Sequence, residues 1–360
     1  MHEKLKKFLK NRTIEASAPC RIDLGGTLDI RTFHYPLRHL HPCTVNMAVD
    51  LRTRVTLSPH EEGQVRIVSR GFPAAEYPLN EAPFDHALGL MFAVATYFQA
   101  HGVVIRIDSA SPPRSALGGS SVAAVALIAA LDAVIRETGG KGLGGRRIAL
   151  LAHAVEETVA GVPCGFQDQL AAVYGGANVW HWPGGPDEPA FRKKTLLPRA
   201  RHREMAERIL IAYCGVPHES RNINGRWVGQ FLSGRFRREW AEIVAWTKKF
   251  IDSIRDRNYK GAASAMLRET EIRRRMTPDV FDSVGEKLVE SAARHGCGAR
   301  FAGAGGGGCV WALGETEGIR RLQPVWREIL AERETGGLLD AHIDAAGLSV
   351  IVSGKPSRGR

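Results

Sequence analysis

The chain has 360 residues, more than one ordinary hydrophobic core requires, and its 44% hydrophobic and 24% charged residues exclude a disordered protein. Its 49 Lys and Arg against 38 Asp and Glu residues give a net charge of +11, which suits nucleic acid, anionic lipid or a phosphorylated small molecule. The basic residues cluster at 192–208, 235–238 and 273–275 in helix-like stretches that also contain Glu, and we interpret these as solvated faces. No basic stretch is interleaved with aromatic residues, so we predict no nucleic-acid partner.

Cysteine usage and the apolar stretches predict a cytoplasmic protein without a membrane partner. The six cysteines lie far apart, with no CxxC pair and no zinc-ligand spacing, which is typical of reduced thiols. The polar, Lys-rich first twelve residues contain no apolar stretch, so we expect no secretory signal. The longest apolar run, 122–135, is interrupted by Asp132 and is too short to span a bilayer, which predicts a buried helix.

Apolar periodicity predicts the elements in chain order. Strands are predicted at residues 13–16, 44–49, 52–57, 65–68 and 103–107, and helices at 84–99, 121–137 and 146–160. A loop rich in Pro, Gly and acidic residues at 183–189 is the predicted domain boundary, which gives domains over residues 1–185 and 190–360. Beyond it we predict a strand at 209–213 and two short strands, around 300–302 and 309–313, that flank a glycine run.

Residues 111–124, Ser-Pro-Pro-Arg-Ser-Ala-Leu-Gly-Gly-Ser-Ser-Val-Ala-Ala, join a Pro-Pro turn to an apolar helix. The glycines let backbone N–H groups approach an anion closely, and the N-terminus of the helix favours negative charge. Serine hydroxyl groups at this position can also bind Mg²⁺. The pattern favours a phosphate-binding loop, and an ordinary turn followed by a serine N-cap remains the alternative.

The glycine run Gly303-Ala-Gly-Gly-Gly-Gly308 has the GxGxxG spacing of dinucleotide-binding loops. That fingerprint requires a helix after the loop, whereas Cys309-Val-Trp-Ala-Leu is typical of a strand. We therefore expect either a flexible glycine hairpin or a loop that packs against a second loop near bound phosphates.

Residues 17–29, Ser-Ala-Pro-Cys-Arg-Ile-Asp-Leu-Gly-Gly-Thr-Leu-Asp, predict a strand followed by a tight glycine turn. The strand carries Arg21 and Asp23, and the turn presents Thr27 and Asp29. Both a structural ion pair and contacts to sugar hydroxyl groups fit this pattern.

In type and order, these three segments resemble the motifs of the GHMP kinases, the family of galactokinase, homoserine kinase, mevalonate kinase and phosphomevalonate kinase. Residues 18–29 resemble the first motif, residues 113–124 the phosphate-binding second motif, and residues 301–309 the third. The resemblance covers the chain from about residue 14 to 313. It implies a two-domain α+β fold, with an N-terminal half like domain 2 of ribosomal protein S5 and a ferredoxin-like C-terminal half.

Residues 161–176, Gly-Val-Pro-Cys-Gly-Phe-Gln-Asp-Gln-Leu-Ala-Ala-Val-Tyr-Gly-Gly, resemble the stretch around the catalytic aspartate of the sugar kinases in this family. The Gln-Asp-Gln core is most similar to the heptose 7-phosphate 1-kinases and the fucokinases. The resemblance implies that ATP and Mg²⁺ serve to phosphorylate a sugar or sugar phosphate at its anomeric hydroxyl, with D-glycero-D-manno-heptose 7-phosphate as the lead substrate. The excess of Lys and Arg over Asp and Glu suits a substrate that already carries phosphate, as do Arg31, His34 and Arg38 after the first motif.

The resemblance assigns the catalytic roles to Asp168 and Arg21. Asp168 matches the proposed base, which would accept the proton of the attacking hydroxyl group. Arg21 matches the arginine that keeps this carboxylate ionised and stabilises charge on the phosphoryl group. The alternative role of Asp168 is a helix N-cap.

Glu156 matches the Mg²⁺-binding glutamate of the family, and helical spacing separates it from Glu157. Glu156 lies at the border of the apolar stripe of helix 146–160, whereas Glu157 points away from that stripe. We therefore expect Glu156 to face the interior and Glu157 the solvent. Ser120 is the expected hydroxyl ligand, with Ser121 one residue away, and such a sparse pair of ligands is typical of Mg²⁺.

The remaining assignments from the resemblance concern the nucleotide and the acceptor. The residues expected at the nucleotide are Pro113, Ser115, Leu117, Gly118, Gly119, Ser120, Ser121, Gly305 and Gly306. The residues expected at the acceptor are Gly26, Thr27, Asp29, Cys164 and Gly165. Two features depart from the family pattern, since the segment between Arg21 and Asp29 is one residue shorter and Gly119 stands where many relatives have serine.

Two alternatives to a sugar-phosphate kinase remain. An unphosphorylated sugar such as fucose or galactose is the alternative substrate, and a non-catalytic sugar sensor of the same fold is the alternative of another class. Arg21, Glu156 and Asp168 argue against a sensor, because a sensor needs no base. We expect a small-molecule sugar or sugar phosphate as the binding partner.

Overall fold

The structure, a computed structural model, describes residues 2–161, 163–217 and 220–354. Its strands are β1 (Arg12–Leu24), β2 (Cys43–Pro59), β3 (Gln64–Ser69), β4 (Ala75–Pro78), β5 (Val103–Ser109), β6 (Ala177–His181), β7 (Arg192–Leu197), β8 (Ile209–Tyr213), β9 (Gly298–Phe301), β10 (Cys309–Leu313), β11 (Gly337–Leu339) and β12 (Ser349–Gly354). Its helices are α1 (His2–Asn11), α2 (Arg31–His34), α3 (Gly89–Tyr97), α4 (Gly119–Glu137), α5 (Gly145–Ala160), α6 (Gln167–Tyr174), α7 (His202–Ala206), α8 (Ser220–Leu232), α9 (Arg237–Arg255), α10 (Tyr259–Met276), α11 (Ser283–Arg294) and α12 (Thr316–Leu330). This mixture of helices and strands confirms the predicted α+β class.

The strands form two sheets. The larger sheet has the order β12-β1-β2-β5-β3-β4, and β6 and β7 extend it beside β2. The long strand β2 can hold both extensions because residues 43–47 pair with β6 and residues 53–59 pair with β5. The smaller sheet is antiparallel and has the order β11-β8-β10-β9.

The strands predicted at 44–49 and 52–57 are one continuous strand, β2. The exposed Asp50 interrupts the apolar alternation there, and the register with β1 shifts between Pro19 and Cys20. Strand β1 likewise joins the strand predicted at 13–16 to the strand predicted to carry Arg21 and Asp23, and it continues to Leu24 through residues that are buried without alternation. A strand buried on both faces loses the period of two on which the prediction relied.

Helix α4 lies in the core and packs against β1 and β2. Among the described residues it is the one helix that is long and apolar enough to cross a membrane. Of its apolar stretch, 78% is buried inside the protein, as in a core helix. This confirms the buried helix predicted at 121–137. The carboxylate of Asp132 accepts hydrogen bonds from Leu143 N at 2.6 Å and Arg136 Nε at 3.1 Å, so it anchors the linker that follows the helix.

The chain returns to the larger sheet after the predicted domain boundary. Strand β7 pairs with β6, and the last strand, β12, pairs with β1. Residues from both predicted domains therefore contribute to one sheet. The division into residues 1–185 and 190–360 stays a prediction.

Candidate active site

A cavity of about 380 Å³ brings the predicted motifs together. One part of its lining is apolar and includes Phe72, Leu88 and Met91. Other parts are polar and come from the turn after β1, the loop before α4, helix α5 and the segment that leads into α6. Residues remote in sequence thus share one site.

The predicted phosphate loop leads directly into α4. Gly118, with a φ of 82°, ends the loop, and the helix begins at Gly119. The first N–H groups of a helix have no partner within it, so those of Gly119, Ser120 and Ser121 can bind an anion. The cavity is lined here by Pro113, Ser115, Gly118, Gly119, Ser120 and Ser121, whereas Leu117 lies outside the lining and is fully buried.

Asp168 lies in the first turn of α6 and is held by Arg21. The Nε of Arg21 donates to Asp168 Oδ1 at 2.7 Å and its Nη1 donates to Ala116 O at 2.6 Å, so one guanidinium joins the carboxylate to the phosphate loop. The carboxylate lies close to the end of the loop, since a Cβ atom at Gly118 would lie 3.0 Å from Asp168 Oδ2. Burial raises the pKa of Asp168, and the charge of Arg21 opposes that rise. The predicted catalytic pair is therefore in direct contact.

Glu156 faces the phosphate loop, as the helical spacing predicts. Its Oε1 accepts from Ser121 Oγ at 2.9 Å, and its Oε2 accepts from Gln169 Nε2 at 2.5 Å. Burial raises the pKa of Glu156 to about 7. The side chain of Glu157 is instead 37% exposed and lies 3.9 Å from the guanidinium of Arg31. The predicted orientations of the two glutamates are confirmed.

The oxygen donors beside the loop fit a magnesium ion that also binds phosphate. Glu156 offers a carboxylate and Ser120 an exposed hydroxyl at the cavity. Among the described residues, no three His, Cys, Asp or Glu side chains cluster as a metal site. A Mg²⁺ ion held here would thus depend on phosphate oxygens and water for most of its ligands, as is common for this ion. The metal roles of Ser120 and Glu156 stay predictions.

Asp29, Cys164 and Gly165 line a second polar part of the cavity. Asp29 is only 3% exposed, and its Oδ2 accepts from Gln167 N at 2.9 Å. Its Oδ1 has no hydrogen-bond partner within the described part of the chain. Gly165 permits this arrangement, because a Cβ atom there would clash with the carboxylate of Asp29.

Gly26 and Thr27, also predicted at the acceptor, are bound to the protein itself. Gly26 O accepts from Arg273 Nη2 at 2.7 Å, and Thr27 Oγ1 accepts from Arg273 Nη1 at 2.8 Å. Thr27 lines the cavity, whereas Gly26 does not. The structure thus gives Gly26 a role in the turn, and the acceptor contacts assigned to both residues stay predictions.

Replacing Asp29 by Asn is expected to stabilise the protein above pH 7, and the gain should vanish near pH 4. Burial raises the pKa of Asp29 to about 6 from an ordinary value of 3.8. Between these values the native state binds more protons than the unfolded state, so this carboxyl lowers stability as the pH rises. The expected gain at pH 8 is about 3 kcal/mol, from a pKa shift of roughly two units.

Urea unfolding of both proteins at pH 4 and pH 8 measures this difference. Asp187→Asn, at an exposed position, is the matched control and should change little at either pH. A loss of stability in Asp29→Asn at pH 8 would contradict the assignment of an unfavourable buried charge.

The glycine run packs against the phosphate loop, which is one of the two alternatives expected from the sequence. The N–H of Cys309 donates to Ser115 O at 2.9 Å, and Gly303 N donates to Asp23 Oδ1 at 2.7 Å. Gly308 has a φ of 77°, and a Cβ atom there would lie 2.7 Å from Ser115 O. Glycine is therefore required where the two loops meet.

Gly305 and Gly306, predicted at the nucleotide, do not line the cavity. The N–H of Gly306 donates to Val280 O at 2.8 Å, so it is engaged within the protein. Gly303 and Ala304 line the cavity instead. The nucleotide contacts of Gly305 and Gly306 stay predictions.

A buried chain of alternating charges, which the sequence patterns did not predict, continues from Arg21. Asp23 lies 3.7 Å from Arg21 and accepts from Arg300 Nη1 at 3.0 Å. Arg300 Nε and Arg273 Nε each donate to Glu269 at 2.9 Å. Asp23 is 1% exposed, and Glu269, Arg273 and Arg300 are fully buried. The interpretation of residues 273–275 as a solvated face is therefore wrong for Arg273.

The basic residues after the first motif do not reach the cavity. Arg31 is 64% exposed, and Arg38 lies 3.5 Å from Glu188. His34 is buried against the ring of Trp182, and burial lowers its pKa to about 4. None of the three lines the cavity, so the suggested link to a substrate phosphate is not supported.

Two residues that line the cavity were missed by sequence reasoning. Gln167 from α6 and Asn224 from α8 both line the cavity. The Oε1 of Gln167 and the Oδ1 of Asn224 are buried without a partner among the described residues. Gln167 belongs to the Gln-Asp-Gln core and could have been identified there, whereas no pattern marks Asn224.

Comparison with known proteins shows what this chain is similar to. Residues 86–176 match the GHMP kinases N terminal domain. The chain is 25% identical over 331 residues to a mevalonate kinase of Thermococcus onnurineus, covering 83% of this chain and 88% of the relative. It is 27% identical over 176 residues to a D-glycero-alpha-D-manno-heptose 7-phosphate kinase of Campylobacter jejuni, covering 46% of this chain and 50% of the relative. Among solved structures, a D-glycero-D-manno-heptose 1-phosphate kinase of Bacteroides thetaiotaomicron has a TM-score of 0.69 at 16% identity, covering 94% of this chain and 98% of that one.

Residues 86–176 are a GHMP kinases N-terminal domain, and the chain has the fold of the GHMP kinases. This confirms the resemblance seen in the motifs. The relatives are kinases of heptose phosphates and of mevalonate, which supports a GHMP-type kinase of a sugar or related small molecule.

Proposed function

We propose that the protein transfers the γ-phosphoryl group of ATP to a hydroxyl group of a sugar or sugar phosphate. The observation that carries this proposal is the position of Asp168, which Arg21 fixes beside Gly118 at the N-terminal end of α4. A carboxylate next to an anion-binding helix end would repel phosphates, so it serves no purpose in binding them. It suits a base that accepts the proton of an attacking hydroxyl.

In the proposed reaction, the acceptor oxygen attacks the γ-phosphorus and the bond to the β,γ-bridging oxygen breaks, which releases ADP. The hydroxyl proton passes to Asp168. Arg21 keeps that carboxylate ionised beforehand, since its charge opposes the rise in the pKa of Asp168 that burial causes. The N–H groups at the start of α4 hold the phosphates.

Glu156 and Ser120 are the proposed protein ligands of Mg²⁺. When bound, the ion would neutralise phosphate charge and orient the phosphate groups for transfer. Ser121 and Gln169 donate to Glu156 and so fix the orientation of its carboxylate.

Replacing Glu156 by Gln is expected to raise the Mg²⁺ concentration for half-maximal activity by about tenfold or more. The amide keeps the size of the side chain but loses the charge that binds the cation. Glu157→Gln is the matched control, and its partly exposed side chain should leave the Mg²⁺ requirement unchanged. Magnesium titrations of both variants decide the point, and an equal or larger shift for Glu157→Gln would contradict the assignment.

Unpaired oxygens of residues that line the cavity support a polyhydroxylated acceptor. The Oδ1 of Asp29, the Oε1 of Gln167 and the Oδ1 of Asn224 lack donors within the described residues. Buried acceptor atoms cost free energy until a donor reaches them, and sugar hydroxyl groups are such donors. A carboxylate or phosphate in contact with Asp29 would instead add repulsion.

D-glycero-D-manno-heptose 7-phosphate is the lead acceptor, with phosphorylation at the anomeric hydroxyl. Its support is the Gln-Asp-Gln core and the heptose-kinase relatives. Steady-state assays with the heptose phosphate, fucose, galactose and mevalonate test this choice, with NMR to locate the new phosphate. We expect kcat/KM for the heptose phosphate to exceed that for unphosphorylated sugars by about tenfold or more.

Mevalonate is the second candidate acceptor, because the match to the mevalonate kinase covers 83% of this chain. Its carboxylate, like the phosphate of the lead acceptor, would need a cationic partner, and the oxygens of Asp29 and Gln167 require donors. Turnover of mevalonate with no turnover of any sugar would replace the sugar proposal with this one.

A further inference from the structure

Arg114 occupies the phosphate loop in a backbone conformation that favours glycine. Its φ is 53°, in the left-handed region, where a side chain other than Asn or Asp is uncommon. Its side chain is exposed and lines the cavity. Strained backbone conformations cluster at binding and active sites, so the side chain of Arg114 is a candidate for binding a ligand.

The turn after β3 packs against this part of the loop. Gly71 has a φ of 82°, and a Cβ atom there would lie 2.6 Å from Pro113 Cγ, so the two segments approach closely. The guanidinium of Arg114 lies 6.0 Å from the centre of the Phe72 ring. Arg70, in the same turn, also lines the cavity and donates from Nη1 to Ser109 O at 3.5 Å. Arg70 and Arg114 thus belong to two segments that pack against each other at one rim of the cavity.

Both guanidinium groups can bind an anion, although Arg70 also donates to the carbonyl of Ser109. Within the described residues, Arg70 and Arg114 form no ion pair with a carboxylate, whereas Arg21, the third arginine of the lining, is paired with Asp168. The rim includes Phe72 of the apolar part of the lining, and Arg114 belongs to the loop that leads to α4. The acceptor-binding oxygens belong to other segments. This position suits the phosphates of a nucleotide whose base contacts the apolar part.

We propose that Arg114, together with Arg70, binds the phosphate groups of the nucleotide. The inference rests on the proposed function, since it assigns residues to the ATP site of that reaction. Guanidinium groups bind phosphate through paired, charge-assisted hydrogen bonds, which suits both side chains.

Titration of adenosine, AMP, ADP and ATP·Mg²⁺ into the protein without acceptor tests the proposal. Arg114→Gly is the informative variant, because glycine adopts this φ without strain and the fold should not lose stability. We expect it to weaken ATP and ADP binding by about tenfold or more and to change adenosine binding less than twofold. Arg70→Ala should act in the same direction, and Arg114→Lys should restore part of the affinity. Arg106→Ala, an exposed arginine of β5 outside the cavity, is the control and should bind as the unaltered protein does.

Each outcome separates this inference from the proposed function. If the unaltered protein binds no nucleotide, the proposed function fails and the inference fails with it. If it binds ATP and Arg114→Gly binds equally well, only the inference is wrong. Equal losses for adenosine and ATP would also overturn it, because the contact would then be to the nucleoside.

Discussion

Replacing Asp168 by Asn is expected to lower kcat by at least about 100-fold while ATP binding persists. The amide has nearly the same shape and can still accept from Arg21 Nε, but it cannot take up the hydroxyl proton. The N–H groups proposed to bind phosphate belong to α4 and its loop, so nucleotide affinity should not depend on this proton. Single-turnover assays and ATP titration measure the two quantities separately.

Asp108→Asn is the matched control, because Asp108 is exposed on β5 and does not line the cavity. It should keep the unaltered kcat. A near-normal kcat in Asp168→Asn, with the same product, would show that Asp168 is not the base. Loss of ATP binding together with activity would show instead that Asp168 supports the loop.

Replacing Glu269 by Gln is expected to destabilise the fold by about 3–5 kcal/mol. Glu269 is fully buried and accepts from both Arg273 and Arg300, so its neutralisation leaves two buried guanidinium groups with one carboxylate fewer. Burial lowers the pKa of Arg273 to about 10 even with Glu269 present.

Urea unfolding at pH 7 measures this loss, with Glu271→Gln as the control. Glu271 lies two residues further along α10 and pairs with Arg268 at 3.0 Å, but both side chains are exposed. Exposed pairs of this kind contribute less than about 1 kcal/mol. Similar effects of the two substitutions would contradict the importance of the buried charge chain.

The elements with clear periodicity were predicted well from the sequence. Strand β8 and strand β10 have the predicted bounds, and α4 and α5 differ from the prediction by two residues or fewer at each end. The long strands β1 and β2 were each predicted as two shorter strands, because burial on both faces and the exposed Asp50 remove the alternation that marks a strand. Local pattern therefore identifies elements whose two faces differ, and it misses the extent of those that are buried throughout.

The candidate site was predictable where function depends on local motifs and unpredictable where it depends on tertiary contacts. Arg21, Glu156 and Asp168 follow from motif positions and meet around one loop. The burial of Arg273 does not follow from its sequence, because a Glu–Arg pair four residues apart is usually a solvated helix pair. The packing of α10 against α9 and β9 turns this pair into part of a buried chain.

The position of the proposed acceptor end likewise required the structure. Arg31 and Arg38 follow the first motif directly, yet their side chains are exposed and pair with Glu157 and Glu188. Asn224 comes from a helix far away in sequence and lines the cavity without any motif of its own.

Acceptor-dependent release of ADP tests the central claim most directly. The unaltered protein is mixed with ATP·Mg²⁺ and each acceptor in turn, and ADP is measured beside the phosphorylated product. We expect the release of one ADP for each phosphate transferred to a sugar hydroxyl. Under the same conditions, ADP release by Asp168→Asn should be slower by at least about 100-fold. Binding of ATP and sugar without any ADP or phosphorylated sugar would contradict this claim and would indicate a non-catalytic binding protein.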